Sequence, residues 1–125
     1  QNPAMLATAV EQNVAVVWVV MNNSAYGTIA GLAMAHYGTA FGCVFVKDGK
    51  PYSPDFAAIA KAYGAEGVRI DSADAFGPAL ERAILSKRPF VIDVAMQNEP
   101  VPTAGHWNIN DIYSPGREVS HVAIE

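Results

Sequence analysis

The stretch "VAVVWVVMNNSAYG", residues 14–27, decides the fold and raises the question of function. Every position of its first part, Val14–Met21, is apolar, whereas a half-buried strand would alternate apolar and polar residues. The run predicts a strand that is buried on both faces, as in a parallel sheet covered by helices. It ends on two uncharged amides, Asn22 and Asn23, which are followed by a turn. These amides are expected to hold either the local backbone or a ligand.

Length, charge and cysteine content narrow the class of protein. The 125 residues are enough for one domain with a core and too few for two. Eight Lys and Arg stand against twelve Asp and Glu, and the basic residues are scattered, so nucleic acid is not an expected partner. No apolar stretch reaches the roughly 20 residues of a membrane span, so we expect no membrane partner. The single cysteine, Cys43, fits a reducing compartment, and we expect a cytoplasmic protein.

The sequence predicts the N-termini of two helices. Asn2 followed by Pro3 predicts an N-cap and a first-turn proline, and Ser53-Pro54-Asp55 predicts a second helix that begins in the same way. The second helix is expected to end at Gly64, which provides a C-terminal cap. Because the chain opens directly on a helix cap, we expect it to continue a longer polypeptide.

Further strands and helices follow one another along the chain. The patterns predict a short helix over residues 26–35, a turn at "KDGKP", a strand over residues 66–71, a helix over 72–86 and a strand over 88–96. Strands separated by helices need crossover connections. We therefore expect an α/β fold with a doubly wound, mostly parallel sheet and helices on both faces.

The end of the chain changes character. Residues 1–97 are predicted to form the α/β domain, whereas residues 98–125 are rich in Pro, Asn and Gly and have poor periodicity. This segment carries four large apolar anchors, which predict a tail that packs on another surface or a lid: Trp107, Ile109, Ile112 and Tyr113. His106 is the best candidate of the histidines for an active-site contact, and docking of the tail on a domain is the preferred alternative.

The other polar residues form no recognisable catalytic set. His36, His106 and His121 lack metal-ligand spacing, and there is no Ser/His/Asp arrangement, phosphate-binding loop or cysteine cluster. We assign no catalytic residue. Asp93 lies inside the last predicted strand, where a carboxylate needs a partner, and Arg69 on a neighbouring strand is the predicted one.

The position of the two asparagines gives them two interpretations. In open α/β sheets ligands gather at the carboxyl ends of the strands, which is where Asn22 and Asn23 stand. A neutral amide offers an oxygen to Mg²⁺ without adding charge, and a backbone carbonyl freed at the strand end can supply another. The alternative is a structural turn in which both side chains bond the local backbone. From the residues alone both interpretations stay open.

Two longer segments carry a family resemblance. "MLATAVEQNVAVVWVVMNNSAYG", residues 5–27, resembles the closing half of the thiamine diphosphate motif, which opens on Gly-Asp-Gly and closes on Asn-Asn. Residues 55–96 are similar to the helix, strand, helix and strand that follow in the same domain. The likeness covers roughly residues 2–100. It indicates the C-terminal, diphosphate-binding domain of the acetolactate synthase and benzaldehyde lyase group.

The resemblance implies a site, residue by residue. The implied cofactor contacts all lie in and after the turn: Asn22, Asn23, Ala25, Tyr26, Gly27 and Thr28. Of these, the side-chain oxygen of Asn23 and the backbone carbonyl of Ala25 would ligate Mg²⁺, and Asn22 would support the loop and the diphosphate. Gly27 would allow close approach to the cofactor. The Gly-Asp-Gly of the family, whose aspartate is the charged Mg²⁺ ligand, is absent from this sequence.

The resemblance implies that this chain anchors thiamine diphosphate through Mg²⁺ in a carboligase, decarboxylase or lyase of acetolactate synthase type. The intact enzyme would be a lyase or transferase that acts on 2-keto acids or aldehydes. This part alone is expected to be inactive, because other domains and a second subunit of a homodimer or homotetramer complete such sites. Flavin (FAD) occurs in some relatives and would bind elsewhere. The alternative is a non-catalytic α/β binding or scaffold module that has lost the cofactor site.

Overall fold

A computed structural model describes residues 2–98. Within that range the chain forms four α-helices and five strands: α1 Ala4–Glu11, β1 Val17–Asn22, α2 Gly27–Tyr37, β2 Val46–Lys47, β3 Lys50–Pro51, α3 Phe56–Ala62, β4 Glu66–Ile70, α4 Phe76–Ser86 and β5 Phe90–Ala95. A 3₁₀ turn at Ala73–Ala75 comes directly before α4. The four apolar anchors of the predicted tail, His106 and His121 lie outside the described residues. The division at residue 97 therefore stays a prediction. No helix in the described range is long and apolar enough to cross a membrane.

The three longer strands form one parallel sheet in the order β1-β5-β4. Val17 of β1 and Glu66 of β4 both stand opposite Phe90 of β5, so the carboxyl ends of all three strands lie at the same edge. Helices connect the strands, as crossover connections in a parallel sheet require. The predicted parallel α/β fold is confirmed.

Helices cover both faces of this sheet. Successive residues of β5 point to opposite faces, so Phe90 and Ile92 join one core cluster and Val91 joins the other. The first cluster includes Ala79 and Ala83 of α4. The second holds Leu6 of α1, Ala60 of α3 and Ala65. Two apolar cores therefore sandwich the central strand, which is buried from Phe90 to Asp93.

The prediction of a strand at Val14–Met21 is confirmed, but its bounds and its burial on both faces are wrong. The strand runs from Val17 to Asn22, and the side chains of Val19 and Met21 are 38% and 60% exposed. Val17 packs against the core cluster that includes Ala79 and Ala83 of α4. In the described residues α4 packs on β5, and it does not bury Val19 and Met21 farther along β1. An apolar run shows which residues can be buried and does not show what covers them.

The predicted turn at "KDGKP" is confirmed as a hairpin. Strands β2 and β3 pair antiparallel, and the two residues between them, Asp48 and Gly49, have φ values of 54° and 74°. Two positive φ values in a two-residue loop define the turn whose twist matches paired strands. Glycine at the second position adopts that conformation without steric cost.

The two predicted helix starts differ in outcome. The Asn2 Oδ1 accepts a hydrogen bond from the Ala4 backbone N–H at 3.1 Å, so its side chain bonds the start of α1, although Pro3 is the residue directly before the helix. In α3, however, Asp55 is the N-cap, and its Oδ1 accepts from the Ala58 N–H at 2.8 Å. The prediction that Ser53 caps a helix with proline at its first position is wrong, because the Ser53 side chain has another partner.

Candidate functional site

The turn after β1 is built by its own asparagines. The Asn22 Oδ1 accepts from the Ser24 N–H at 3.3 Å, and the Asn23 Oδ1 accepts from the Ala25 N–H at 3.2 Å. Ser24 lies in the left-handed region with φ 54°, which costs a non-glycine residue about 1 kcal/mol. Both amides therefore bond the local backbone, as the structural-turn interpretation predicts. An amide oxygen has a second lone pair, so this bond does not exhaust the Asn23 oxygen.

A neighbouring segment holds the turn from one side. The Phe45 N–H donates to the Ser24 carbonyl and the Tyr26 N–H donates to the Cys43 carbonyl, each at 2.8 Å. Ala25 and Val44 thus face each other as a non-hydrogen-bonded antiparallel pair, whose own N–H and C=O groups point away from the partner. No donor within residues 2–98 reaches the Ala25 carbonyl. As far as the described residues go, this backbone oxygen can bind a ligand.

Asn22 anchors the turn to the sheet. Its Nδ2 donates to the Ser53 Oγ at 2.8 Å and to the Asp93 Oδ1 at 2.9 Å. The Asp93 Oδ2 accepts from the Arg69 Nη1 at 2.8 Å, which confirms the predicted ion pair. Asp93 is fully buried and the Arg69 side chain is 44% exposed. All polar atoms of the Asn22 side chain are used within the chain, so its loop-supporting role has a structural basis, and its contact with diphosphate stays a prediction.

Helix α2 begins directly after the turn, at Gly27. Its first backbone bond runs from the Ala30 N–H to the Tyr26 carbonyl at 2.8 Å, and the three preceding N–H groups have no acceptor in the described part of the chain. No acidic side chain lies in its first turn. Free N–H groups and the positive end of the helix dipole favour an anion at this position.

Gly27 brings the helix and Asn23 into close contact. A Cβ at this position would lie 2.7 Å from the Asn23 Nδ2, whereas a Cβ at Gly31 in the same helix would meet nothing within 4 Å. A glycine is therefore required at residue 27 for the present position of the Asn23 side chain. The φ of Gly27 is not positive, so the requirement comes from space and not from backbone conformation.

A cavity of about 620 Å³ opens beside the turn. Of the predicted site residues, Asn22, Asn23, Ala25 and Tyr26 line it, together with residues of the 42–46 and 52–56 segments. Gly27 does not line it, and Thr28 is exposed on α2 away from it. A cavity of this size is within the range of small-molecule sites.

A second cavity, of about 340 Å³, is more polar and lies at the ends of all three strands. Asn22, Ser53, Asp55 and Arg69 are among its lining residues. Sequence reasoning missed Ser53, because its local pattern favours a helix cap and its partner Asn22 is 31 residues away. Across residues 2–98 no group of three or more His, Cys, Asp and Glu side chains could hold a metal ion. A metal at the turn would therefore be bound by neutral oxygens of the protein and by oxygens of a bound small molecule.

Comparison with known families decides the assignment. The model of the family described as "Thiamine pyrophosphate enzyme, C-terminal TPP binding domain" matches residues 1–94. The chain belongs to this family. Thiamine pyrophosphate, or TPP, is the compound called thiamine diphosphate above, and the resemblance stated from the sequence is confirmed.

Relatives of this TPP-family chain have different named activities. It is 32% identical over 95 residues to a probable acetolactate synthase large subunit of Methanocaldococcus jannaschii, an alignment covering 76% of this chain and 15% of that protein. It is 31% identical over 109 residues to a 3D-(3,5/4)-trihydroxycyclohexane-1,2-dione hydrolase of Halalkalibacterium halodurans, covering 83% of this chain and 17% of that protein. The chain thus spans less than a fifth of the length of these relatives.

A solved structure agrees with the fold of the TPP domain. The benzoylformate decarboxylase from Polynucleobacter necessarius superposes with a TM-score of 0.69 at 27% sequence identity, covering 80% of this chain and 18% of that one. The parallel sheet and its helices are therefore those of a TPP-enzyme C-terminal domain.

Proposed function

We propose that the turn after β1 anchors the diphosphate of TPP through Mg²⁺, with the Asn23 Oδ1 and the Ala25 carbonyl as metal ligands. The observation that carries the proposal is the Ala25 carbonyl, which accepts no hydrogen bond from residues 2–98 and lies two residues from Asn23 in a turn that lines a cavity. Membership of the TPP family supplies the identity of the cofactor.

The chemistry of the turn fits this group. Mg²⁺ binds oxygen ligands in octahedral geometry and usually takes one or two protein ligands together with phosphate oxygens and water. An amide oxygen and a carbonyl oxygen are both neutral, so negative charge would come from the diphosphate and from a carboxylate outside the described residues. The three N–H groups at the start of α2 that have no acceptor among residues 2–98 suit a phosphate placed beside the metal.

Each residue of the turn then has a distinct part in holding the cofactor. Asn23 and Ala25 bind the metal, Asn22 fixes the turn to β5, and Gly27 leaves room for the Asn23 side chain. Tyr26 packs edge-on against Phe45 at 5.0 Å between ring centroids and forms part of the cavity wall. When bound, TPP supplies an electron sink for breaking a bond next to a carbonyl carbon. The protein contributes orientation and exclusion of water.

We further propose that the chain works within a TPP enzyme of acetolactate synthase-like type that acts on a 2-keto acid or aldehyde. Support comes from the names of the relatives, which include a synthase and a decarboxylase. The reaction is of lyase or transferase type. We propose that other domains and a second subunit complete the active site in a homodimer or homotetramer, and that the enzyme is cytoplasmic. Thr28 is proposed to face the substrate side of the cofactor, where the other domains approach.

Calorimetric titration of the full-length protein with TPP tests the anchoring role. We expect binding in the presence of Mg²⁺ and loss of binding in EDTA. Asn23→Ala is expected to abolish the Mg²⁺-dependent part, whereas Asn2→Ala, which removes an exposed amide at the start of α1, should bind as the wild type does. Absence of Mg²⁺-dependent binding in the wild type would contradict the proposal and favour the scaffold alternative.

A further inference from the structure

Three polar side chains form a bonded row across the three strands at the carboxyl end of the sheet. Asn22 on β1 donates to Asp93 on β5 at 2.9 Å, and Arg69 on β4 donates to the other oxygen of Asp93 at 2.8 Å. We infer that Asp93 and Arg69 are positioning residues for the metal-binding turn and act on it through the amide of Asn22. This inference rests on the proposed function.

The carboxylate of Asp93 selects one orientation of the Asn22 amide. In that orientation Nδ2 faces two acceptors, the Ser53 Oγ and the Asp93 Oδ1, and Oδ1 faces the Ser24 N–H. A flipped amide would place its oxygen against the Asp93 oxygen and its NH₂ against the Ser24 N–H. Both contacts would then pair like with like, so the buried carboxylate excludes the flipped state.

The Asn22 oxygen in turn stabilises the unusual backbone of Ser24. Ser24 has a φ of 54°, and the Asn22 Oδ1 and the Phe45 N–H bond its backbone on either side. A non-glycine residue keeps a left-handed conformation only when its surroundings determine it. The same conformation sets the relative directions of the groups on either side of Ser24, which are the Asn23 side chain and the Ala25 carbonyl. A change at Asp93 is therefore transmitted to the metal ligands.

Arg69 contributes by pairing the charge of Asp93. Asp93 is 0% exposed, and a buried carboxylate is tolerated only when it is paired and hydrogen-bonded. Without Arg69 the carboxylate would retain only the Asn22 amide as a bonding partner among the described side chains. We expect it then to admit water and loosen its hold on Asn22. Because the Arg69 side chain is 44% exposed, it can be changed with little effect on packing.

The path from Arg69 and Asp93 through Asn22 to the turn is called the relay. Substitutions at Asp93 and Arg69 test this relay in the full-length protein. In Asp93→Asn an amide replaces the carboxylate, so one of the contacts with Asn22 or Arg69 must become a contact between two donors. Arg69→Met removes the charge and keeps an apolar stem. Ile92→Val is the matched control, because Ile92 precedes Asp93 in β5 but points into the opposite core.

Two measurements are made on each variant. The first is the affinity for Mg²⁺ at saturating TPP, by calorimetry. The second is the amide hydrogen exchange of Ser24 and Ala25 in the protein without cofactor. We expect Asp93→Asn and Arg69→Met to bind Mg²⁺ about tenfold more weakly, at the lower end of the range for losing a direct partner of a metal ligand, because both residues act on the ligands through Asn22. Exchange at Ser24 should accelerate in both variants, and Ile92→Val should change neither quantity.

A reciprocal exchange supplies a rescue. In the double variant Asn22→Asp with Asp93→Asn, the new Asn amide can donate to the new Asp and accept from Arg69. The new Asp can still accept from the Ser24 N–H and from the Ser53 hydroxyl, so every bond of the row has a donor and an acceptor. Slow exchange at Ser24 is expected to return in this double variant.

The outcomes separate the relay from the proposed function. If the wild type shows no Mg²⁺-dependent binding of TPP, the proposed function fails and the relay fails with it. If the wild type binds and both single variants keep its Mg²⁺ affinity, the relay alone is overturned. Weaker binding without faster exchange at Ser24 also overturns it, because the turn would not be the route. If Asp93→Asn does not fold, Arg69→Met decides.

Discussion

Replacing Gly27 by alanine is expected to weaken cofactor binding strongly while lowering stability only slightly. The new Cβ would lie 2.7 Å from the Asn23 Nδ2, about 0.8 Å inside the closest favourable separation of heavy atoms. The obstructing atom is the end of a flexible side chain, so the backbone can stay and Asn23 rotates away. That rotation breaks the 3.2 Å bond to the Ala25 N–H and moves the proposed metal ligand.

The magnitudes follow from the contacts. Loss of the Asn23–Ala25 hydrogen bond costs about 0.5–1.5 kcal/mol, and alanine in place of glycine in a helix returns up to about 1 kcal/mol. The free energy of unfolding should therefore fall by no more than about 1.5 kcal/mol. An oxygen bonded to a charged partner contributes about 1.5–3 kcal/mol, which corresponds to Mg²⁺ binding about tenfold to a hundredfold weaker.

Calorimetry of Mg²⁺ binding at saturating TPP, combined with urea unfolding, measures both quantities. Gly31→Ala is the control, because it makes the same change in the same helix where a Cβ meets nothing within 4 Å. It should raise stability by up to about 1 kcal/mol and leave the Mg²⁺ affinity unchanged. Equal Mg²⁺ affinities for Gly27→Ala and Gly31→Ala would refute the view that the position of Asn23 controls the metal.

Three further substitutions test the fold around the site by thermal and urea unfolding. Asp55→Ala removes the acceptor of the Ala58 N–H and should cost about 1 kcal/mol; an unchanged midpoint would show that the cap is not needed. Gly67→Ala would bring a Cβ to 2.5 Å from the Ala57 carbonyl oxygen, a backbone atom that cannot rotate away. The substitution should cost at least about 1–3 kcal/mol. Wild-type stability would mean that α3 can move away from β4. Gly49→Ala should cost about 1 kcal/mol through its φ of 74°, and a neutral result would show that the hairpin turn adopts another form.

Local sequence patterns predicted the elements that depend on local physics. The apolar run before Asn22 predicted a strand, because a short run that is rich in β-branched residues and ends in a turn favours a strand over a helix. The pairing of Asp93 with Arg69 was predictable, because a carboxylate inside a buried strand needs a cation on a neighbouring strand. The turn at Asn22 and Asn23 was predictable in position, because amides follow strands where the chain bends.

The features that sequence reasoning missed depend on contacts between distant residues. Ser53 has the local pattern of a helix cap, yet it accepts from Asn22, 31 residues away. Asn22 is buried and its second N–H needs an acceptor, which outweighs a cap that Asp55 can provide instead. The exposure of Met21 was likewise not predictable, because hydropathy does not report which element covers a given side chain.

The most direct test is a crystal structure of the full-length protein with TPP and Mn²⁺ in place of Mg²⁺, with the metal located by its anomalous scattering. We expect the ion about 2.0–2.2 Å from both the Asn23 Oδ1 and the Ala25 carbonyl oxygen, close to the ligand distances of Mg²⁺. The diphosphate should lie at the start of α2. A metal bound elsewhere, or a diphosphate that leaves both oxygens without a cation, would contradict the proposed anchoring.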